Sequence, residues 1–130
     1  MSKQEDILRQ AIQAARERGI VITRGATFDW TQPGPQGIPV RAEVASSCDA
    51  TGAVVLFMGW PGLSPGWLQA VCEFMDVDAF WFWRFWLGWN RNYQVQVWVD
   101  DAKLPGKGRW IDDEVCHFAR RLARELLRTV

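Results

Sequence analysis

Residues 79–99, AFWFWRFWLGWNRNYQVQVWV, decide how this chain is read, because they hold five of its nine Trp, three of its seven Phe and its only Tyr. A Trp buries a large area yet keeps one N–H that needs an acceptor, and Trp is also the residue most enriched at binding hot spots. The stretch is therefore either an unusually aromatic core or a binding surface. On a helix from Ala79, the residues Phe82, Phe85 and Trp86 share a face while Phe80, Trp81 and Trp83 spread over the others, so no fully polar face remains. Such a helix has to be covered on several sides.

Working outward, Asp78 can cap this helix, and Gly88 reads as its stop. Upstream, Ser64 and Pro65 offer an N-cap and a first-turn proline for a preceding helix whose stripe is Leu68, Val71, Cys72 and Met75. Downstream, Tyr93–Val99 alternates, Val95, Val97 and Val99 against Gln94, Gln96 and Trp98, as a strand requires. Leu104–Gly108 is a turn-rich basic loop. Asp112, Asp113 and Glu114 open a last helix with the stripe Val115, Phe118, Ala119, Leu122 and Leu126 and with Arg124 and Arg128 near its end.

At the N-terminus, Ser2 and Glu5 have capping-box spacing, Leu8, Ala11, Ile12 and Ala15 recur on one helical face, and Gly19 stands where a C′ glycine ends a helix. Ile20–Thr23 reads as a short strand, and Gly25–Gly37 as a Gly/Pro-rich connection. Ile38–Ala45 alternates as a half-buried strand with Pro39 marking an edge. Ala53–Met58 is apolar throughout, which leaves buried helix and central strand both open. The expectation is an α+β fold in a small single domain, residues 1–130: amphipathic N- and C-terminal helices, a central aromatic helix pair, and a small β-sheet from segments near 20, 40 and 95.

Length and composition agree with that expectation. A chain of 130 residues buries on the order of two-thirds of its unfolded surface without staples. Hydrophobic residues make up 48% and charged residues 23%, far from the profile of disorder. Net charge is zero, so no global basic field collects nucleic acid or anionic membrane. Charge is uneven: residues 42–83 carry five acidic side chains and no basic one, and residues 84–130 carry nine basic and six acidic. Three widely spaced cysteines, Cys48, Cys72 and Cys116, argue against a disulfide framework and for a reducing compartment. With no secretory leader and no apolar run long enough to span a bilayer, the expected location is cytoplasmic.

Each chemical motif has a plainer reading beside it. His117, the only histidine, follows Cys116, so a Cys–His nucleophile or a histidine zinc site would have to use it. Cys48 and His117 are the weak catalytic candidates, but no CxxC or HxxxH spacing accompanies them, and a solvated helix histidine with small buried cysteines is the better account. The acid pairs Asp100/Asp101 and Asp112/Asp113 are explained as strand-end and helix-start residues. GWPGLSPG (59–66) contains no Lys and no GK[ST], so nucleotide binding is unsupported. The helix pair Trp67–Gly88 has the spacing of a helix-turn-helix, yet its second helix offers a single Arg84 to DNA, which makes a nucleic-acid partner an unfavourable reading. No metal or cofactor is expected.

The segments ERGIVITRGATFD, SSCDATGAVVLF and LQAVCEFMDVDAFWFWRFWLGWN resemble a loose set of small uncharacterised bacterial and bacteriophage proteins. That set carries a "GxxFD" lead-in, a "CxxGAxLL" turn and an "LGVxxxWVxxFxxGFD" helix pair. Gly25, Phe28 and Asp29 match the first motif, and Val77, Trp81, Phe85 and Gly88 the third. This chain departs from the pattern in placing three residues between Cys48 and Gly52, in Met75 and Asp76 for Leu-Gly, and in Asn90 for the final Asp. The resemblance implies fold-defining roles for Cys48, Gly52, Phe85 and Gly88 and a phage or mobile-element origin, and it carries no activity.

The functional expectation is a non-enzymatic accessory or assembly protein, its partner another protein or a second copy of itself, without membrane attachment. The expected surface is Trp81, Trp83, Trp86 and Trp89, with Trp60 and Trp67 on the adjoining loop, only some of which need be exposed. The alternative is a small-molecule or saccharide binder, or a hydrolase, with an aromatic pocket between the aromatic helix and the sheet.

Overall fold

The first helix, α1, spans Ser2–Glu17 and buries Leu8, Ala11, Ile12 and Ala15, the stripe its periodicity predicts. It ends in a Schellman motif: Gly19, at φ 80, donates its amide to Arg16 O at 3.0 Å, and Ile20 donates to Ala15 O at 3.0 Å. The structure, a computed structural model, describes residues 2–25, 28–30, 45–59, 66–92, 94, 96–100, 103 and 106–127. The chain divides into two compact units, Met1–Phe82 and Trp83–Val130, and the division falls inside one continuous helix.

In the first unit, β1 (Val21–Ile22), β2 (Phe28–Trp30) and β3 (Ala45–Cys48) form a three-stranded sheet in the order β1-β3-β2. β1 runs parallel to β3, Val21 opposite Ser47 and Ile22 opposite Cys48, while β2 runs antiparallel to β3 with Phe28 opposite Cys48. The Gly/Pro-rich connection thus contains a strand, which three residues of FDW are too few to reveal by alternation. Of the strand expected over 38–45, only Ala45 lies within the described residues, and the observed strand runs on to Cys48.

The ambiguous apolar run is a helix, α2 (Ala50–Phe57). Asp49 settles it: its buried carboxylate accepts the Gly52 amide at 2.7 Å, an N-cap that starts a helix and offers a strand nothing. Residues Ala50–Val55 are all buried. Next, α3 (Trp67–Met75) buries Val71, Cys72 and Met75. The expected caps Ser64 and Pro65 lie outside the described residues, and the N-cap is Gly66 in the left-handed region at φ 88.

The aromatic helix, α4, spans Ala79–Arg91, with Asp78 Oδ1 accepting the Trp81 amide at 2.7 Å. Phe82, Phe85 and Trp89 are its buried large residues. Gly88 is not its stop. A Cβ there would lie 2.6 Å from the carbonyl oxygen of Cys116 and 2.8 Å from the Cβ of Ala119, so this glycine is kept inside the helix for close approach to a neighbouring helix.

That neighbour belongs to the second unit and is α5 (Glu114–Leu126), which buries Val115, Cys116, Phe118, Ala119, Leu122 and Ala123. Phe118 meets Phe85 at 5.9 Å between ring centroids, and Phe85 stacks on Trp89 at 6.1 Å. In the chain, α4 and α5 are joined through a two-stranded antiparallel ribbon, β4 (Gln96–Asp100) and β5 (Gly108–Asp112). The segment near 95 is therefore not part of the first sheet, and part of the expected basic loop, together with the expected helix start at Asp112, is strand. Asp113 alone caps α5, its carboxylate accepting the Cys116 amide at 2.8 Å. The fold is α+β.

Candidate interaction surface

Cysteine and histidine chemistry finds little support in the geometry. Cys48 is fully buried at the end of β3, where burial and then the Asp49 carboxylate push its thiol up to about 12. A thiol held there is protonated at neutral pH and is a poor nucleophile. Cys72 is likewise buried, and its thiol is raised by burial and then by Asp78. Cys116 is buried, with its Sγ donating to Arg84 O at 3.2 Å. His117 stands exposed on α5, as expected of a solvated helix residue. Among the described residues no group of three or more His, Cys, Asp or Glu side chains could hold a metal ion. Nor, among them, is any helix long and apolar enough to cross a membrane.

The acidic pair at the start of α5 is split in role. Asp112 is exposed and accepts Gln94 Nε2 at 2.8 Å. Asp113 is 2% exposed and binds both the helix amide and the Arg84 guanidinium on α4. Burial alone pushes its carboxyl up, but the Cys116 amide and Arg84 outweigh that, so it titrates below its ordinary 3.8. This pair is a structural staple between α4 and α5.

The expected tryptophans separate sharply. Trp60 lies outside the described residues. Trp67 is half-buried, edge-on to Phe82 at 5.7 Å, and belongs to the packing of α3 on the start of α4. Trp81 is half-buried. Trp83 is 45% exposed and meets the half-buried Trp86 edge-on at 6.1 Å, and Arg91 lies over the Trp86 ring at 5.5 Å. Trp89 is 0% exposed and is core, not surface. The reason is that α4 continues past Gly88, which places Trp89 four residues beyond Phe85 on the buried stripe.

The sequence reading missed a pair. In the ribbon, Gln96 opposes Asp112, Trp98 opposes Trp110, and Asp100 opposes Gly108, so these six residues occupy one face. Trp98 and Trp110 are 47% and 61% exposed on it and meet edge-on at 5.6 Å. A signal did exist: each indole stands in the polar register of an alternating segment, Trp98 with Gln94 and Gln96, Trp110 with Asp112. What concealed it was the second strand, hidden under a basic, glycine-containing stretch.

A groove of about 220 Å³ runs between α1 and α2, lined by Ala11, Ala14, Ala15, Arg18, Ala53, Leu56 and Phe57. Its lining is mostly alanine and includes no residue of α4 and none of the sheet, the two elements between which an aromatic pocket was expected. Comparison of the chain with models of known protein families, with curated proteins and with solved structures yields no match.

Proposed function

We propose that this chain is a small non-enzymatic accessory or assembly protein that acts through protein–protein contacts made by its exposed tryptophans. The partner is another protein or a second copy of the chain. The observation that carries this reading is the Trp98–Trp110 pair, two large indoles side by side on the exposed face of a ribbon whose other positions on that face are Gln, Asp and Gly. Trp83 adds a third half-exposed indole in the same unit. A lone exposed apolar residue is ordinary, whereas adjacent tryptophans rimmed by polar groups have the make-up of a hot spot and its rim.

Magnitudes set the kind of contact. With 45%, 47% and 61% of three indoles exposed, roughly 300–400 Å² is open to burial, worth roughly 8–10 kcal/mol gross. Association itself costs about 4–15 kcal/mol, and a standard interface covers about 800 Å² per partner. The indoles are therefore anchors within a larger, more polar contact.

The test is light scattering over a concentration series, with photo-crosslinking residues introduced singly at Trp83, Trp98 and Trp110 and, as a control, at the exposed Gln13 of α1. A discrete adduct of fixed stoichiometry from the three aromatic positions, with another protein or with the chain itself, supports the reading. Monomer mass throughout, with adducts no more frequent than from the control, overturns it.

A further inference from the structure

We infer that the C-terminal end of α4 and the adjoining turn of α5 dock an acidic segment of a partner protein: Arg91, Arg120 and Arg124 take its carboxylates, and Trp83 and Trp86 take its apolar side chains. This rests on the reading that the exposed tryptophans contact protein, and it names the chemistry of what they contact.

Three observations converge on the site. α4 ends at Arg91, followed by Asn92 in the left-handed region at φ 54. Arg120 Nε donates to Asn92 Oδ1 at 3.3 Å, which ties the middle of α5 to the end of α4, and Arg124 stands one turn further along α5, exposed. Arg91 lies over Trp86, which in turn meets Trp83 edge-on, so guanidinium and indole groups form one strip.

The arginines of this strip differ from those that the fold holds in ion pairs. Arg9 pairs with Glu5, and Arg84 with Asp113, whereas Arg91, Arg120 and Arg124 have no carboxylate partner among the described residues. Glu125, the nearest acid in sequence, stands four residues beyond Arg121, the spacing of a helical ion pair. Residues 83–130 carry nine basic and six acidic side chains, so the surplus is local to this unit. A guanidinium over an indole face keeps N–H donors for a carboxylate, which it can bind bidentately.

A single-stranded nucleic acid is the weaker fit. The whole chain is neutral and residues 1–82 carry nine acidic against six basic side chains, so no field gathers a polyanion. The indoles stand edge to face and do not offer parallel platforms to successive bases.

The experiment is fluorescence anisotropy with the full chain and three labelled probes: a ten-residue peptide alternating Asp and Glu with Phe and Leu, its Asn/Gln counterpart, and a ten-nucleotide oligo-dT. The acidic peptide is expected to bind saturably at low salt, about tenfold more tightly than the amide peptide and more weakly as screening rises. Arg124→Glu and Arg120→Gln, both on the helix surface with circular dichroism unchanged, are each expected to weaken it about fivefold or more. Absence of saturable binding, equal binding of the amide peptide, tighter binding of oligo-dT, or indifference to both substitutions overturns the inference. A concentration-dependent mass abolished by Arg124→Glu, without peptide binding, assigns the strip to a second copy and also overturns it. Crosslinks from Trp98 or Trp110 without a peptide response sink this inference alone, while a monomer without any adducts sinks the broader reading.

Discussion

Trp89 and the Trp98–Trp110 pair fall within residues 89–110 and end in opposite surroundings, the first fully buried and the others about half exposed. The residue type is the same, so hydrophobicity does not decide the outcome. In α4 a 3.6-residue period returns Trp89 to the stripe of Phe85, and Gly88 beside it lets α5 come close enough to cover that stripe. In the ribbon a period of two assigns Trp98 and Trp110 to one common face, where they meet edge-on and stay 47% and 61% exposed. The difference teaches that an indole becomes core when a facing element can approach its backbone, and stays partly exposed on a two-stranded ribbon.

Removing the core indole should break this contrast most severely. Trp89→Ala is expected to cost about 3–5 kcal/mol, the range for large aromatic deletions, read as a lowered urea midpoint with an unchanged slope. An unaltered midpoint would show that Trp89 is not the packed residue described.

The staple that holds α5 in its covering position comes next. Asp113→Ala removes a helix cap and leaves Arg84 without its carboxylate, an expected loss of about 2–3 kcal/mol. The lowered pKa adds a sign. Because the folded value lies below the ordinary 3.8, the contribution is fully present above the unfolded value and is lost as pH falls through the folded one. Stability measured from pH 6 down to pH 2 should therefore fall less steeply in Asp113→Asn than in the parent chain. Parallel curves would remove Asp113 from the account.

Gly88→Ala tests the close approach itself. Alanine favours a helix by about 1 kcal/mol over glycine, but a Cβ placed against the Cys116 carbonyl forces the helices apart at a cost of about 1–3 kcal/mol. The net expectation is destabilisation with a red-shifted emission as Trp89 gains water; stabilisation would mean that the helices give way freely.

The smallest effect belongs to the exposed pair. Trp98→Ser should lower stability by about 1 kcal/mol or less, the size of one cross-strand aromatic contact, while removing a readily quenched part of the Trp emission. A loss comparable to that of Trp89→Ala would place the ribbon pair in the core and end its candidacy as a contact surface.

Much of the helical framework was legible from residue spacing. The stripe of α1, the Gly19 stop, the Asp78 cap and the stripe of α5 each follow from local rules that act within a turn or two. Legibility failed where a residue's role depends on something distant in sequence. Gly88 has the local signature of a terminator and acts as a contact point for α5. FDW and GRWID are strands only because β3 and β4 supply their hydrogen-bond partners. The candidate surface was half legible: Trp83 and Trp86 were named from composition, Trp89 was named with them and is buried, and Trp98 and Trp110 escaped because the strand that pairs them, β5, lies under a basic, glycine-containing stretch.

By itself the sequence determined the α+β class, the helices with clear stripes and caps, and the concentration of indoles in one stretch, since propensity, periodicity and capping are properties of neighbouring residues. Only the tertiary structure decided that β5 exists and which indoles face inward. Burial of a side chain depends on the element that comes to lie over it, and in this chain that element is set by contacts such as Gly88 against Cys116 and Arg84 against Asp113.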